Sequence, residues 1–197
     1  MRLCMFSPRG HDLERGWPGR VDGDEVVQLA AQTLQAYFTG GGQAREHDRF
    51  PLAEVELRAP VLHPPSVRIF DAPDRFEFAN PAAILSPGAE VAGEVEVLAR
   101  VTAVVGADGA IGGWTLMADC RAPDLSPPKD RDFALVLGPV VTTERIDGFD
   151  WDKSLELAKR NTRLCPGDLL VAPPHDRAGT VVHPAIGELY LRVTRTR

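Results

Sequence analysis

The chain lacks sequence features that are typical of several common classes of protein. Its 197 residues include three cysteines, Cys4, Cys120 and Cys165, which are widely spaced and form no Cys-x-x-Cys pair. A disulfide framework is therefore not expected, and free thiols in a reducing cytoplasm are predicted. No apolar run approaches the roughly 18 residues of a membrane helix, and no signal-peptide core of about 7–15 apolar residues stands near residue 1. The formal net charge of −6 argues against a nucleic-acid surface. We expect a soluble cytoplasmic protein with no nucleic-acid and no membrane partner.

The common catalytic motifs are also missing. No serine lies in a G-x-S-x-G elbow, and none of the five histidines belongs to an H-E-x-x-H pair. The glycine run at residues 40–42 follows a predicted helix, where it indicates a helix end rather than a phosphate cradle. Motifs of this kind therefore indicate no reaction.

The composition favours many short strands. The 17 prolines and 18 glycines punctuate short apolar or alternating runs, a pattern typical of strands and turns. Residues 1–62 are predicted to form a small N-terminal α+β unit, with a strand at residues 2–6, a hairpin turn within residues 19–24 and a helix over residues 25–38. Residues 63–197 are predicted to form a β-rich domain with one clear helix, over residues 152–161.

Five phrases in a fixed order carry a resemblance. They are FEFANPAAILSPGAEV at residues 76–91, VEVLARVTAVVG at 95–106, GGWTLMADCRAPDL at 112–125, KDRDFALVLGPVVTTERI at 129–146 and LCPGDLLV at 164–171. In this order and spacing the chain resembles the fumarylacetoacetate hydrolase family. The resemblance implies an α+β, mostly β fold: a mixed β-sandwich or β-roll domain with the small N-terminal unit. It also implies a homodimer, or a heteromer with a relative of the same family.

The same resemblance places a metal site where this chain departs from the family. Family members carry two glutamates, two residues apart, at the positions of Leu98 and Arg100, and an aspartate at the position of Asp119. Together these carboxylates bind Mg²⁺, which prefers oxygen ligands. An apolar side chain and a cation cannot replace two anionic ligands, so no cofactor is expected. The alternative is a shifted site built from Glu94, Glu96 and Asp119, and Mg²⁺ is expected if that alternative holds.

Further residues match the substrate end of the family's site. The resemblance implies that Lys129 lies near the substrate, although a solvated charge cluster at residues 129–132 is the other interpretation. Asp124 matches too, and Leu98 is expected to contact substrate. Strand alternation predicts that Arg100 faces inward beside Asp119.

Two functions follow as expectations. In the first, the chain is a diverged enzyme acting on a small oxo-acid, enolate or 1,3-dicarbonyl by decarboxylation, isomerisation or cyclisation without a metal. Arg100 and Lys129 would bind an oxyanion, and Asp119 would transfer the proton. In the second, the chain is a non-catalytic binding module, or the silent subunit of an assembly with an active relative.

Overall fold

The computed structural model describes residues 1–11, 13–177 and 180–194. Its helices are α1, Leu34–Thr39, and α2, Trp151–Lys159. Its strands are β1 Arg2–Pro8, β2 Trp17–Asp22, β3 Glu25–Leu29, β4 Glu46–Pro51, β5 Val55–Arg58, β6 Val67–Ala72, β7 Arg75–Ala79, β8 Ile84–Leu85, β9 Glu90–Ala92, β10 Glu96–Val105, β11 Ile111–Arg121, β12 Leu135–Thr142, β13 Leu169–Val171, β14 Asp176–Arg177, β15 Thr180–His183, β16 Gly187–Tyr190 and β17 Arg192–Thr194. The predicted α+β, mostly β fold class is confirmed.

One large mixed sheet organises the described chain. It contains 13 strands in the order β4-β3-β2-β1-β12-β11-β10-β13-β6-β7, with β5, β8 and β14 pairing beside β1, β12 and β10. Most neighbours are antiparallel, while β13 runs parallel to β6 and β8 parallel to β12. Two small ladders, β15 with β16 and β9 with β17, complete the described strands. The long hairpin of β10 and β11 therefore lies in the middle of the sheet.

The N-terminal strands continue this sheet. Strand β1 pairs with β12 through Arg2 opposite Thr142 and Leu3 opposite Val141. The predicted hairpin is confirmed, because Asp22 of β2 stands opposite Glu25 of β3. The division at residues 62 and 63 into two units is not tested by these contacts and stays a prediction.

The helix predicted over residues 25–38 is wrong for its first part. Residues Glu25–Leu29 form β3, which pairs with β2 and β4. The helix is α1 alone, and it begins after Thr33, whose Oγ1 accepts a hydrogen bond from the Ala36 amide at 3.1 Å. Sheet pairing with two neighbours outweighs the weak preference that apolar spacing gives to a helix.

The two faces of β10 contact different cores. Val97, Ala99, Val101, Ala103 and Val105 belong to one buried apolar cluster. Val104, on the opposite face, packs in a second cluster with Met117 and Leu137. Because side chains alternate along a strand, residues 98, 100 and 102 lie on the same face as Val104.

The helix predicted at residues 152–161 is confirmed as α2, and its Trp151 is buried, with Nε1 donating to the Ile146 carbonyl at 2.8 Å. Among the described residues, no helix is long and apolar enough to cross a membrane.

A matched pair of truncations tests the second core. Leu137 is 0% exposed in β12, whereas Leu125 is 43% exposed. Leu137→Ala is expected to lower the free energy of unfolding by about 2–5 kcal/mol, because it leaves a cavity in a packed core. Leu125→Ala is expected to lower the free energy of unfolding by less than about 1 kcal/mol, because the side chain is largely exposed. Urea denaturation of both variants measures the difference, and equal losses would contradict this placement of the core.

Candidate functional site

The hairpin of β10 and β11 brings the predicted site residues together. Leu98 stands opposite Asp119, and Arg100 stands opposite Met117, two residues along each strand. Leu98, Arg100 and Asp119 are 8%, 4% and 0% exposed. The inward facing of Arg100, predicted from strand alternation, is confirmed. The catalytic roles expected of Arg100 and Asp119 stay predictions.

Arg100 and Asp119 form a buried ion pair. The Arg100 Nε donates to Asp119 Oδ2 at 2.8 Å, and its Nη1 donates to the Ala172 carbonyl at 3.0 Å. Ala172 follows β13, whose Val171 pairs with Thr102 of β10. The guanidinium therefore joins the hairpin to the segment beyond β13, and its contacts are with protein groups on both sides.

A second arginine contacts the same carboxylate. Arg121 Nη2 lies 2.9 Å from Asp119 Oδ2 and Arg121 Nε lies 3.0 Å from Oδ1. Its Nη1 reaches Asp130 Oδ2 at 3.3 Å. Sequence reasoning missed this role of Arg121. The signal was its position two residues after Asp119 in one strand, which places both side chains on one face.

The network continues towards the surface. Asp130 Oδ1 lies 3.5 Å from Arg131 Nε, and Arg131 Nη1 donates to Glu77 Oε2 at 2.7 Å. Glu77 belongs to β7, an edge strand of the sheet. Cations and carboxylates therefore alternate from Arg100 to the sheet edge, so each buried charge has an opposite neighbour, as buried charges require.

Burial and pairing shift the pKa values of the two arginines in opposite directions. Burial lowers the pKa of the Arg100 guanidinium, and the charge of Asp119 offsets part of that effect. For Arg121, burial acts to lower the pKa, but its hydrogen bonds with Asp119 and the charges of Asp119 and Asp130 raise it overall. Arginine remains protonated in proteins, so Asp119 faces two permanent cations.

The residues present do not fit a divalent metal. The positions that the resemblance assigns to two ligands hold Leu98, which has no donor atom, and Arg100, which is a cation. Both oxygens of Asp119 already accept hydrogen bonds from Arg121. Glu94 and Glu96, the alternative ligands, are exposed. Within residues 1–11, 13–177 and 180–194, no three histidine, cysteine or carboxylate side chains form a group that could hold a metal ion.

Lys129 and Asp124 lie elsewhere, on a shallow groove of about 290 Å³. Glu94, Val95, Leu125 and Phe133 also line it. The Lys129 Nζ is paired with Asp132 Oδ1 at 3.0 Å, and its side chain is 69% exposed. The structure therefore brings Arg100 and Asp119 together, while Lys129 pairs with a different carboxylate.

The phrase at residues 164–171 has a visible structural role. Asp168 accepts hydrogen bonds from the Ser66 hydroxyl at 2.5 Å and from the Cys165 amide at 2.7 Å. Arg68, buried in β6, lies 3.7 Å from the same carboxylate and donates to Ser66. These contacts fasten the turn before β13 to β6, and sequence reasoning did not identify them.

Comparison with known proteins identifies the architecture. No family model matches the chain, and no curated protein matches its sequence significantly. Solved structures do match over the full length of both chains. A 5-carboxymethyl-2-hydroxymuconate delta-isomerase from Mycobacterium smegmatis has a TM-score of 0.80 at 19% identity. A maleylpyruvate hydrolase from Sphingobium sp. SYK-6, in complex with manganese(II) and pyruvate, has a TM-score of 0.76 at 18% identity.

The chain has the fumarylacetoacetate hydrolase-like fold. A 2-keto-3-deoxyarabinonate dehydratase matches as well, with a TM-score of 0.74 at 18% identity over all of both chains. These names span isomerase, hydrolase and dehydratase. Because the three identities quoted are below 20%, the likeness concerns the fold, and the activities belong to those proteins.

The buried ion pair generates a stability prediction. Arg100→Met removes one of the two cations on a fully buried carboxylate and leaves the Ala172 carbonyl without its donor. We expect the free energy of unfolding to fall by about 3 kcal/mol, the low end for breaking a buried pair, because Arg121 remains. Arg145→Met is the matched control, since its side chain is 51% exposed and pairs with exposed Asp152. That control is expected to lose less than about 1 kcal/mol. Similar losses in both variants, measured by urea denaturation, would contradict the role of Arg100.

The thiols generate a second prediction. Burial raises the pKa of Cys120 to about 12, with the Asp119 charge adding to the effect, and burial raises the pKa of Cys4 to about 12. Both thiols are therefore almost fully protonated at pH 8 and cannot act as nucleophiles there. Cys165 is partly exposed. Brief iodoacetamide treatment of the native protein should label Cys165 alone, as read by mass spectrometry. Equal labelling of Cys120 would refute this.

Proposed function

We propose that this chain is a non-catalytic binding module of the fumarylacetoacetate hydrolase-like fold, and not a metal-dependent enzyme. One observation carries the proposal: the Asp119 carboxylate, 0% exposed, is held by Arg100 and Arg121 at 2.8 and 2.9 Å. Two arginines supply the positive charge that a divalent ion would bring, and they occupy the carboxylate from inside the protein.

The geometry argues against chemistry at Asp119. A general base must reach the proton it removes and must not be fully paired already. Asp119 accepts from two guanidinium groups and has no exposed surface. Arg100 likewise donates to Asp119 and to a backbone carbonyl and is only 4% exposed, so its charge is already balanced inside the protein. The pairing of Arg100 with Asp119 favours a structural role for both residues over the catalytic roles expected from the sequence.

Small oxo-acids remain the ligand class that the proposal favours. One structural neighbour is described in complex with pyruvate and manganese(II), and others are named for reactions on hydroxymuconate or keto-sugar acids. For this chain, binding of an oxo-acid or dicarbonyl is a proposal that rests on the shared fold. Assembly as a homodimer, or with an active relative, is proposed on the same basis.

A second candidate function is a metal-independent enzyme at the groove of Lys129. The favouring observation is that Lys129, Asp124 and Glu94 line one groove together with Phe133. A lysine beside carboxylates on an apolar surface could bind an enolate and exchange a proton. Two of these three charges are negative, which disfavours an anionic substrate, so this candidate ranks second.

Metal affinity tests the first proposal. Isothermal titration of the purified chain with MnCl₂ is expected to show binding no tighter than millimolar, because Leu98 and Arg100 supply no anionic oxygen. The Asp119→Asn variant is the control that shows whether any binding signal depends on the Asp119 carboxylate. Micromolar binding that disappears in Asp119→Asn would show that the carboxylate exchanges its arginines for a metal, and would overturn the proposal.

Turnover separates the two candidate functions. Acetylpyruvate hydrolysis and oxaloacetate decarboxylation are both expected to stay at background with and without added Mn²⁺. Metal-independent turnover that is lost in Lys129→Met and kept in Lys153→Met, a surface lysine paired with Asp74, would favour the enzyme at the Lys129 groove. Metal-dependent turnover would contradict both candidates.

A further inference from the structure

A second, larger groove lies away from the Asp119 centre. It measures about 810 Å³ and is lined by strand β5, the turn at residues 86–89, the strand β16 and the ends of β1. None of Arg100, Asp119 and Arg121 lines it. Because its walls come from segments far apart in the sequence, no sequence motif marks it.

Arginine dominates the charge of this groove. Four arginines line it, Arg2, Arg9, Arg58 and Arg192, with the two carboxylates of Glu56 and Glu188. Arg58 pairs with Glu56 at 3.3 Å and Arg192 with Glu90, outside the lining, at 2.8 Å, so Arg2 and Arg9 are the lining arginines without a carboxylate partner among the described residues. This local excess of positive charge lies in a chain whose formal net charge is −6. Convergent cations on an acidic protein produce a local field that attracts anions.

Several of these guanidinium groups keep unused donors. Arg9 is exposed, and its side chain makes no hydrogen bond or ion pair with the described part of the chain. Arg2 donates to the Ile186 carbonyl at 3.1 Å and has no carboxylate partner among the described residues. Arg58 pairs with Glu56 at 3.3 Å through Nη2, while its buried Nε finds no acceptor among them. An incoming anion would therefore meet Arg2 and Arg9, two cations that no described carboxylate neutralises, in contrast to Arg100, which is paired with Asp119.

The same groove has an apolar wall. Tyr190 is 60% exposed. Its ring lies beside Gly88, where an added Cβ would come within 3.3 Å of the ring. Pro87, Pro139 and Leu57 extend the apolar lining. Gly88 thus leaves room for the ring beside the turn, and the exposed aromatic surface is one on which an unsaturated or aromatic group can pack.

We propose that this groove binds a small organic dianion with a planar apolar body, its acid groups being carboxylates or phosphates. Guanidinium forks bind both kinds of oxyanion in a bidentate manner, and Arg2 and Arg9, which have no carboxylate partner among the described residues, supply two positive charges for a dianion. This proposal rests on the binding function proposed above and gives it a site and a ligand class. The Asp119 centre contributes nothing to this groove, so a result that overturns one of the two proposals leaves the other standing.

Titration calorimetry with three matched probes tests the proposal on the full chain at constant ionic strength. Phthalate carries two carboxylates on a ring, phenyl phosphate carries one phosphate, and benzoate carries one carboxylate. Phthalate or phenyl phosphate is expected to bind at least about tenfold more tightly than benzoate, since each additional charged hydrogen bond contributes more than tenfold. The dianion that binds identifies which acid group the groove prefers.

Variants place the binding in the groove. Arg9→Gln is expected to weaken binding of the preferred dianion at least about tenfold. The melting temperature is expected to stay unchanged, because Arg9 has no partner in the described structure. Arg58→Gln is expected to weaken binding of the same dianion as well. Arg75→Gln, at an exposed site paired with Asp71, is the matched control and should bind as the unmodified chain does. Equal affinity for all three probes, no binding of any, or unchanged affinity in Arg9→Gln would overturn the proposal, even if the metal titration at Asp119 gave the result expected above.

Discussion

The Asp119 carboxylate is the point on which the centre of this molecule depends. It is fully buried at the middle of a 13-stranded sheet, where an unpaired charge would cost several kcal/mol. Arg100 from the facing strand and Arg121 from its own strand both contact it. Each arginine also bonds a further group, the Ala172 carbonyl or Asp130. One carboxylate thus connects β10, β11, the segment after β13 and the turn before β12, and this constraint leaves it no free oxygen for a metal.

The fold could be predicted from the sequence further than the site could. Strand alternation predicted that Arg100 faces inward, because that rule depends on a single strand. The pairing of Asp119 with Arg121 was missed although both side chains lie on one face of a single strand, and the pairing of Arg121 with Asp130 was missed because it depends on how a turn folds back on a strand end. The helix expected over residues 25–38 failed for a related reason. Val26 and Leu29 satisfy helical spacing, but pairing of Glu25–Leu29 with β2 and β4 decided their structure.

The two grooves differ in a way that bears on function. The groove of Lys129 holds one paired lysine among carboxylates. The groove of Arg58 and Tyr190 is lined by four arginines, of which Arg2 and Arg9 have no carboxylate partner among the described residues. An anionic ligand is favoured by the second and disfavoured by the first. The fold neighbours carry names of isomerases, hydrolases and dehydratases. In this chain the charges at the centre pair with one another, and the proposed anion site is the groove of Arg58 and Tyr190.

The central claim is that Arg100 and Arg121 hold Asp119 in place of a metal ion. Crystals grown with excess MnCl₂, measured with X-rays tuned to the manganese absorption edge, test it directly. The account predicts no anomalous peak within coordination distance of Asp119, with Arg100 Nε at hydrogen-bond distance from Oδ2. A manganese peak bound to Asp119, with the Arg100 guanidinium turned away, would contradict it.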